Sequence, residues 1–347
     1  MAAKIRFPLQ MVTFFALVGF IVELNSERAY WFHSPDWFWG RIGETLGVSL
    51  FYGFAAGLAL WVLARTSYRG VHQVVLAGAV FAWTVEGVIT PVIHEAGPFD
   101  PFIPAMFAGW HGLGSFVGLF YLVRRLLIDK RPWILAMASA VYGVVVGLWA
   151  VTTWLPDSDD LAAGLEQGGA DPATPGQYAL TMVLVVLALA LGHLLLDRVW
   201  PAEWKPGRAA AWILVGGTAA YSATWFPTIP YAPLRYGALI AIPLLGLFAR
   251  AHRRSGPTFF QALRGDVVPL HLTALAPAAL VSSAVYATVW AFDPDEAAVV
   301  SIRDLHVMGQ MLGGGVALAW ASWRAVRLGR AEPIVEPATV ASRSDNI

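Results

Sequence analysis

The chain has 347 residues, of which 57% are hydrophobic and 13% charged, and its mean hydropathy is +0.60. Because soluble domains carry roughly 25% charged residues, this composition indicates an integral membrane protein. The 23 basic residues balance the 23 acidic ones, which gives no reason to expect nucleic acid as a partner, and the absence of cysteine excludes disulfides, thiolate catalysis and iron–sulfur clusters.

Ten apolar segments predict membrane-spanning helices, since one crossing needs about 20 largely apolar residues. In chain order they lie at 8–24, 45–64, 72–93, 103–123, 132–154, 177–197, 209–226, 235–250, 267–291 and 299–323. The sequence therefore predicts an all-α, polytopic bundle of about ten transmembrane helices. It forms one transmembrane domain over 1–331, followed by a polar, disordered tail over 332–347.

The basic residues predict the orientation of this bundle. When the helix ends are assigned alternately to two sides, all but four of the 23 Lys and Arg residues fall on one side. The exceptions are Arg28, Arg41, Arg235 and Arg303. Cytoplasmic loops are enriched in Lys and Arg, so both termini are predicted to be cytoplasmic, with the chain in the plasma membrane.

Ionisable side chains at membrane depth are costly and are therefore candidate functional groups. In the outer half, Glu86 and His94 lie on or just past the outward end of the third segment. His111 in the fourth segment and His306 in the tenth both lie roughly 10–12 Å below the outer surface, at 1.5 Å per residue. Equal depth is what a shared ligand would require.

Each of these two histidines begins the same pattern, H-x2-G-x3-G. His111 is followed by Gly114 and Gly118, and His306 by Gly309 and Gly313. On an α-helix the three positions share one face, which leaves a groove without side chains beside each histidine. Such a groove admits either a closely packed helix or the edge of a flat macrocycle.

The stretch 305–315, Leu-His-Val-Met-Gly-Gln-Met-Leu-Gly-Gly-Gly, resembles the heme- and metal-ligating helices of two families. These are the heme–copper oxidase catalytic-subunit superfamily and the NnrS-type membrane heme proteins. The resemblance covers two helices, and the sequence lacks the adjacent histidine pair of the oxidases, which argues against a proton-pumping oxidase. It implies a b-type heme with His111 and His306 as axial ligands.

The leading expectation for such a heme is electron transfer or small-molecule redox chemistry, on the extracytoplasmic side. Arg28, Arg235 and Arg303 would pair with the heme propionates, while Glu86 and Asp304 would move protons. The expected partners are the lipid bilayer and either a membrane redox partner or a quinone-like or lipid-like small molecule.

Two alternatives use the same residues. Zinc or iron held by Glu86, His94, His111 and His306 would make a metal-dependent membrane enzyme acting on a lipid-like substrate at the outer leaflet. An ion-coupled or proton-coupled transporter would use the polar cluster as its ion site. The sequence leaves both open.

Overall fold

The computed structural model of the chain describes residues 2–25, 42–89, 102–151, 173–201, 204, 207–223 and 256–330. Nearly all of these residues are helical. The helices are α1 (Ala2–Glu23), α2 (Ile42–Ala64), α3 (Val71–Thr84, extended by a π-helical turn at Val85–Ile89), α4 (Phe102–Phe107, π-helical over Ala108–Leu122, then Val123–Ile128), α5 (Pro132–Val151), α6 (Pro175–Val199), α7 (Arg208–Ala223), α8 (Phe259–Ala262), α9 (a 3₁₀ turn at Pro269–Leu275, then Ala276–Phe292) and α10 (Glu296–Arg330).

Six of the described helices are long and apolar enough to cross a membrane, namely α2, α3, α4, α5, α6 and α9. α1 contains a shorter apolar stretch, Leu9–Glu23. The all-helical, membrane-type architecture predicted from the sequence is therefore confirmed. Each predicted segment except 235–250 overlaps a described helix; that segment and the tail at 332–347 lie outside the described residues.

The hydrophobic core lies between α1, α2, α3, α4 and α6, where phenylalanines such as Phe14, Phe81 and Phe116 are fully buried. α1 packs along α2, α3 along α4, and α5 along α9, while α10 lies against α3, α4 and α5. Apolar side chains such as Val141 of α5 and Leu187 of α6 remain exposed. An outward apolar face is what contact with lipid chains requires.

Glycines let α4 approach two neighbours closely. A side chain at Gly78 of α3 would meet the carbonyl oxygen of Gly112, 2.8 Å away. A side chain at Gly314 of α10 would overlap the carbonyl oxygen of Ala105 at the start of α4. These are the backbone contacts that small residues permit between membrane helices. The contact between α4 and α10 that a shared ligand would need is thus present.

The central part of α4 differs from the α-helix that the sequence predicts. Over Ala108–Leu122 its hydrogen bonds run from residue i to i+5, as in a π-helix. The turns hold more residues than the 3.6 of an α-helix, so Gly114 and Gly118 do not share the face of His111 in the way the α-helical spacing implied. Instead, a side chain at Gly114 would meet the Asn25 amide at 3.0 Å. At Gly114 the groove expected beside His111 is occupied by Asn25.

The two ends of the bundle are named by α4: the site end is the end nearer His111, and the far end is the end nearer Arg124. A polar cluster lies at the far end. Arg124 is fully buried there, and its Nη2 lies 2.8 Å from Asp197 Oδ1 of α6. The same nitrogen donates to the carbonyl oxygen of Gly265 (3.2 Å), and the guanidinium lies 4.4 Å from the ring centroid of Trp200. These contacts fasten the chain before α9 onto α4 and α6.

Candidate functional site

Glu86 and His111 form a buried carboxylate–imidazole pair. His111 Nε2 lies 2.5 Å from Glu86 Oε1, and the two residues are 3% and 9% exposed. Both lie within helices long enough to span a membrane. A contact of this length is a hydrogen bond to a charged or proton-sharing group: a protonated Glu86 donates to Nε2 of neutral His111, or an Nε2–H of His111 donates to the carboxylate.

The helix geometry explains why these two residues meet. Side chains on a helix lean toward its N-terminus, and α3 and α4 run antiparallel. Glu86 therefore leans toward the far end while His111 leans toward the site end, and the two side chains converge between the helices. The Gly78–Gly112 crossing lies next to His111 and keeps the two backbones in contact.

Both members of the pair belong to π-helical segments, Val85–Ile89 and Ala108–Leu122. π-Helical turns are rare and occur frequently at functional sites, because the wider turn redirects a side chain that an α-helix would point elsewhere. The π-helical turns are therefore a second reason, besides burial, to regard Glu86 and His111 as candidate functional residues.

Aromatic rings enclose the imidazole of His111. Phe107 is stacked on it at 6.1 Å between ring centroids, Tyr52 lies at 6.0 Å and Phe81 at 6.4 Å. Tyr52 also contacts Phe81 at 6.0 Å and is fully buried. These rings exclude bulk water from one side of the pair, so the proton it shares stays in a medium of low dielectric constant.

Further polar contacts at the site end were not predicted from the sequence. Glu23, at the end of α1, is fully buried and accepts a hydrogen bond from Ser49 of α2 (2.5 Å). Asn25 donates to the carbonyl oxygen of Trp110 (3.2 Å) and accepts from the hydroxyl of Tyr142 (2.6 Å). In the sequence, only the carboxyl of Glu23 within an apolar segment could have indicated these contacts. Serine, asparagine and tyrosine in such a segment give little indication of their partners.

His306 of α10 contacts α4 beside His111 but has its own neighbours. Its ring is 4.8 Å from that of Trp149 and 5.9 Å from that of Trp110, the residue before His111. The amide of Gln310 lies 2.5 Å from His306 Nε2; an amide nitrogen only donates, so Nε2 accepts. The two imidazoles thus lie on adjoining helices and engage separate partners.

This packing bears on the expected heme. An axial ligand offers an imidazole nitrogen to iron, and Nε2 of His111 and of His306 is directed at Glu86 and Gln310, respectively. Trp110 lies against His306. The described residues thus fit poorly to a heme clamped between the two histidines, and the heme stays a prediction.

The remaining predicted site residues are dispersed. Arg303 Nε lies 3.3 Å from Asp304 Oδ1, the carboxyl of its own neighbour, and Asp304 is largely exposed. Arg28, His94 and Arg235 lie outside the described residues. Within the described part of the chain, no group of three or more His, Asp or Glu side chains is arranged to hold a metal ion.

Comparisons with known proteins give no family for this chain. No family model matches it, and neither a curated protein nor a solved structure is significantly similar to it. The function is therefore argued from the site itself.

Proposed function

We propose that this chain is a membrane proton transporter, with the proton bound between Glu86 and His111. The observation that carries the proposal is the 2.5 Å contact between Glu86 Oε1 and His111 Nε2, buried in two helices long enough to span a membrane. Ionisable residues in such segments characteristically mark proton relays and ion pathways.

A carboxyl–imidazole pair is suited to loading and releasing one proton. With one shared proton the pair is electrically neutral overall, and without it the carboxylate leaves a net negative charge. Each proton gained or lost changes the charge in an apolar interior by one unit. It therefore shifts any equilibrium between two helix arrangements that bind the proton with different affinity.

The energy available to such a step is substantial. One elementary charge moved through a membrane potential of 100 mV is worth about 2.3 kcal/mol. A free-energy difference of that size shifts a two-state equilibrium about 50-fold. A proton that crosses the whole membrane potential can therefore drive a conformational change of that size.

We also propose a membrane topology for the chain. The distribution of basic residues supports ten spans with both termini in the cytoplasm of the cell, in the plasma membrane. In that orientation the site end opens toward the extracytoplasmic side and the far end toward the cytoplasm. The six described helices that are long and apolar enough to cross a membrane are the coarser basis for this arrangement.

The test uses the full chain in liposomes that contain a pH-sensitive dye, with a potassium diffusion potential as the driving force. We expect wild-type protein to carry protons, and Glu86→Gln and His111→Asn to abolish the flux. Glu296→Gln, which alters an exposed carboxyl at the start of α10, is the matched control and keeps the flux. Equal flux in Glu86→Gln and wild type would contradict the proposal.

Infrared difference spectra of the same protein provide a measurement independent of transport. A protonated carboxyl in an apolar site gives a C=O band above the carboxylate region, and this band should appear or vanish with pH in wild type. It should be missing in Glu86→Gln and present in Glu296→Gln. A pH-difference spectrum without any contribution from Glu86 would contradict a proton site at this pair.

The same purified sample tests the two other functions predicted from the sequence. A heme would give a Soret band that is lost in His111→Ala and His306→Ala. A zinc or iron enzyme would give bound metal without a Soret band, and Glu86 and His111, now found in contact, are two of its four predicted ligands. A colourless, metal-free protein that carries protons supports the transporter.

A further inference from the structure

Buried polar atoms continue beyond the Glu86–His111 pair toward the far end. Ser115 Oγ, His193 Nδ1, and Nε and Nη1 of Arg124 are enclosed and have no hydrogen-bond partner among the described atoms. All three residues are fully buried. Buried polar groups are nearly always hydrogen-bonded to protein or to ordered water, so each of these atoms has bonding capacity that no described residue uses.

Two of these residues, Ser115 and Arg124, lie along α4 beyond His111, whereas His193 belongs to α6. His111 is followed after four residues by Ser115, after four more by Leu119, and after five more by Arg124. The wide turns of the π-helical part bring positions four to five residues apart close to one face. At no more than about 1.5 Å of rise per residue, successive groups are about 6–7.5 Å apart along the axis. One bridging water, with two hydrogen bonds of about 2.8 Å each, spans most of such a gap.

His193 of α6 joins this line at Leu119. Its Nε2 lies 2.9 Å from the carbonyl oxygen of Leu119, to which only an N–H can donate. Nδ1 therefore holds the unshared electron pair and can accept a proton while Nε2–H remains bound. The imidazole is then a relay that receives and releases its proton at the same nitrogen.

Asp197 lies one turn beyond His193 on the same face of α6. Its carboxylate is held by Arg124 at 2.8 Å and accepts a hydrogen bond from the Val267 amide at 3.3 Å. Its side chain is 24% exposed, whereas that of Arg124 is fully enclosed. Asp197 is thus the carboxyl through which the buried line reaches solvent at the far end.

We propose that Ser115, His193 and Asp197 form a proton path that leads from the Glu86–His111 pair along α4 to the far end of the bundle. A proton leaves the pair through water to Ser115 Oγ, which accepts it and gives up its own hydroxyl proton. That proton passes through water to His193 Nδ1 and then to the Asp197 carboxylate, from which it enters solvent. Every group returns to its starting state, and no bond other than O–H and N–H bonds changes.

This inference rests on the proposed proton site and adds the route by which the proton crosses. The test uses the same proteoliposome flux measurement, with Ser115→Ala and His193→Gln. Ser282→Ala, a fully buried serine of α9 bonded to Tyr178, and His72→Gln, a buried histidine of α3 near the far end, are the matched controls. Thermal unfolding in detergent establishes that each variant is folded.

We expect proton flux to fall about 100-fold in His193→Gln, in which the relay nitrogen is absent. In Ser115→Ala a water can replace part of the hydroxyl's role, and the expected loss is about tenfold. Both variants should keep the pH-dependent carboxyl band of Glu86. Wild-type flux in Ser115→Ala and His193→Gln, with the flux still lost in Glu86→Gln, would overturn the path and leave the proton site standing. An unaltered flux in Glu86→Gln would overturn the proposed function itself.

Discussion

A fully buried arginine is costly unless its charge is matched, and Arg124 is matched by several partners. It pairs with Asp197, donates to the carbonyl oxygen of Gly265 and lies over the ring of Trp200. Removing one member of a buried ion pair leaves the other charge uncompensated, which costs far more than losing an exposed pair. The Arg125–Asp129 pair, one residue along and partly exposed, offers a direct comparison.

Arg124→Leu should lower the free energy of unfolding by about 3–5 kcal/mol, measured by equilibrium unfolding in mixed detergent micelles. The double variant with Asp197→Leu should recover most of this loss, because no buried charge is then left unpaired. Asp129→Asn, which breaks the exposed pair, should change the stability by at most about 1 kcal/mol. Similar losses in Arg124→Leu and Asp129→Asn would contradict this account of the buried pair.

Tyr68 lies in the loop between α2 and α3, and we expect it to make the free energy of unfolding depend on pH in the alkaline range. Its hydroxyl lies 2.6 Å from that of Tyr121. Burial, and next the hydrogen bond with Tyr121, raise the pKa of Tyr68 above its ordinary value. The folded protein therefore keeps the Tyr68 proton where the unfolded chain loses it, so this contribution is complete below about pH 10 and declines as the pH rises further.

Tyr68→Phe should accordingly weaken the loss of stability above about pH 10. Below that pH it should cost about 1 kcal/mol, the net worth of one hydrogen bond. Thermal unfolding of both proteins across the alkaline range measures this. Parallel curves for wild type and Tyr68→Phe would show that Tyr68 does not titrate differently in the two states.

At the scale of the helix, the crossing of α4 and α10 depends on one glycine of three in a row. A side chain at Gly314 would overlap the carbonyl oxygen of Ala105, whereas no described atom lies within 4 Å of one at Gly313. Gly314→Ala should therefore cost about 1–3 kcal/mol of stability through forced separation of the helices. Gly313→Ala should be neutral or stabilising by up to about 1 kcal/mol, since alanine favours the helix.

The matched pair is measured by unfolding in detergent, together with the fluorescence of the tryptophans around His306. Trp110 and Trp149 contact His306 directly, so a separated crossing should change their emission in Gly314→Ala only. An equal response of the two alanine variants would mean that the crossing is not set by Gly314.

The sequence predicted the helices well because a span requires a long apolar run, which hydropathy alone reveals. It did not predict the π-helical part of α4, because a change from i→i+4 to i→i+5 hydrogen bonding leaves the pattern of apolar residues almost unaltered. The predicted groove at Gly114 and Gly118 depended on α-helical spacing, which the π-helical turns do not keep.

The candidate site was predicted in part for a similar reason. Glu86 and His111 were singled out because charged or titratable groups are rare at membrane depth. Their direct contact could not be foreseen, since it depends on the backbone approach of Gly78 to Gly112 and on the wide π-helical turns. The contacts of His306 with Trp110, Trp149 and Gln310 could not be foreseen either.

At the scale of the whole molecule, Asn25 joins three helices at the site end. It lies just after α1, donates a hydrogen bond to the carbonyl oxygen of Trp110 on α4 and accepts one from the hydroxyl of Tyr142 on α5. Asn25→Ala should destabilise the bundle by about 1–3 kcal/mol, because it removes both hydrogen bonds and leaves buried groups unsatisfied. Tyr142→Phe should cost less, as only one of the two bonds is lost.

The double variant separates a shared junction from two independent contacts. If the two residues act as one junction, the cost of Asn25→Ala with Tyr142→Phe should fall short of the sum of the single costs, as for residues in direct contact. Unfolding in mixed micelles measures the difference. Strict additivity would mean that α1 and α5 are held at the site end independently.

The π-helical stretch of α4 also fixes the angular phase between the two ends of that helix. At one end Ala105 is set against Gly314, and at the other Arg124 is set against Asp197. In an α-helix each residue turns the chain by about 100°, so any relaxation of the wide turns would twist these two attachments relative to each other. A change at His111 that narrows the turns would therefore rotate the Arg124 end of α4 about the helix axis.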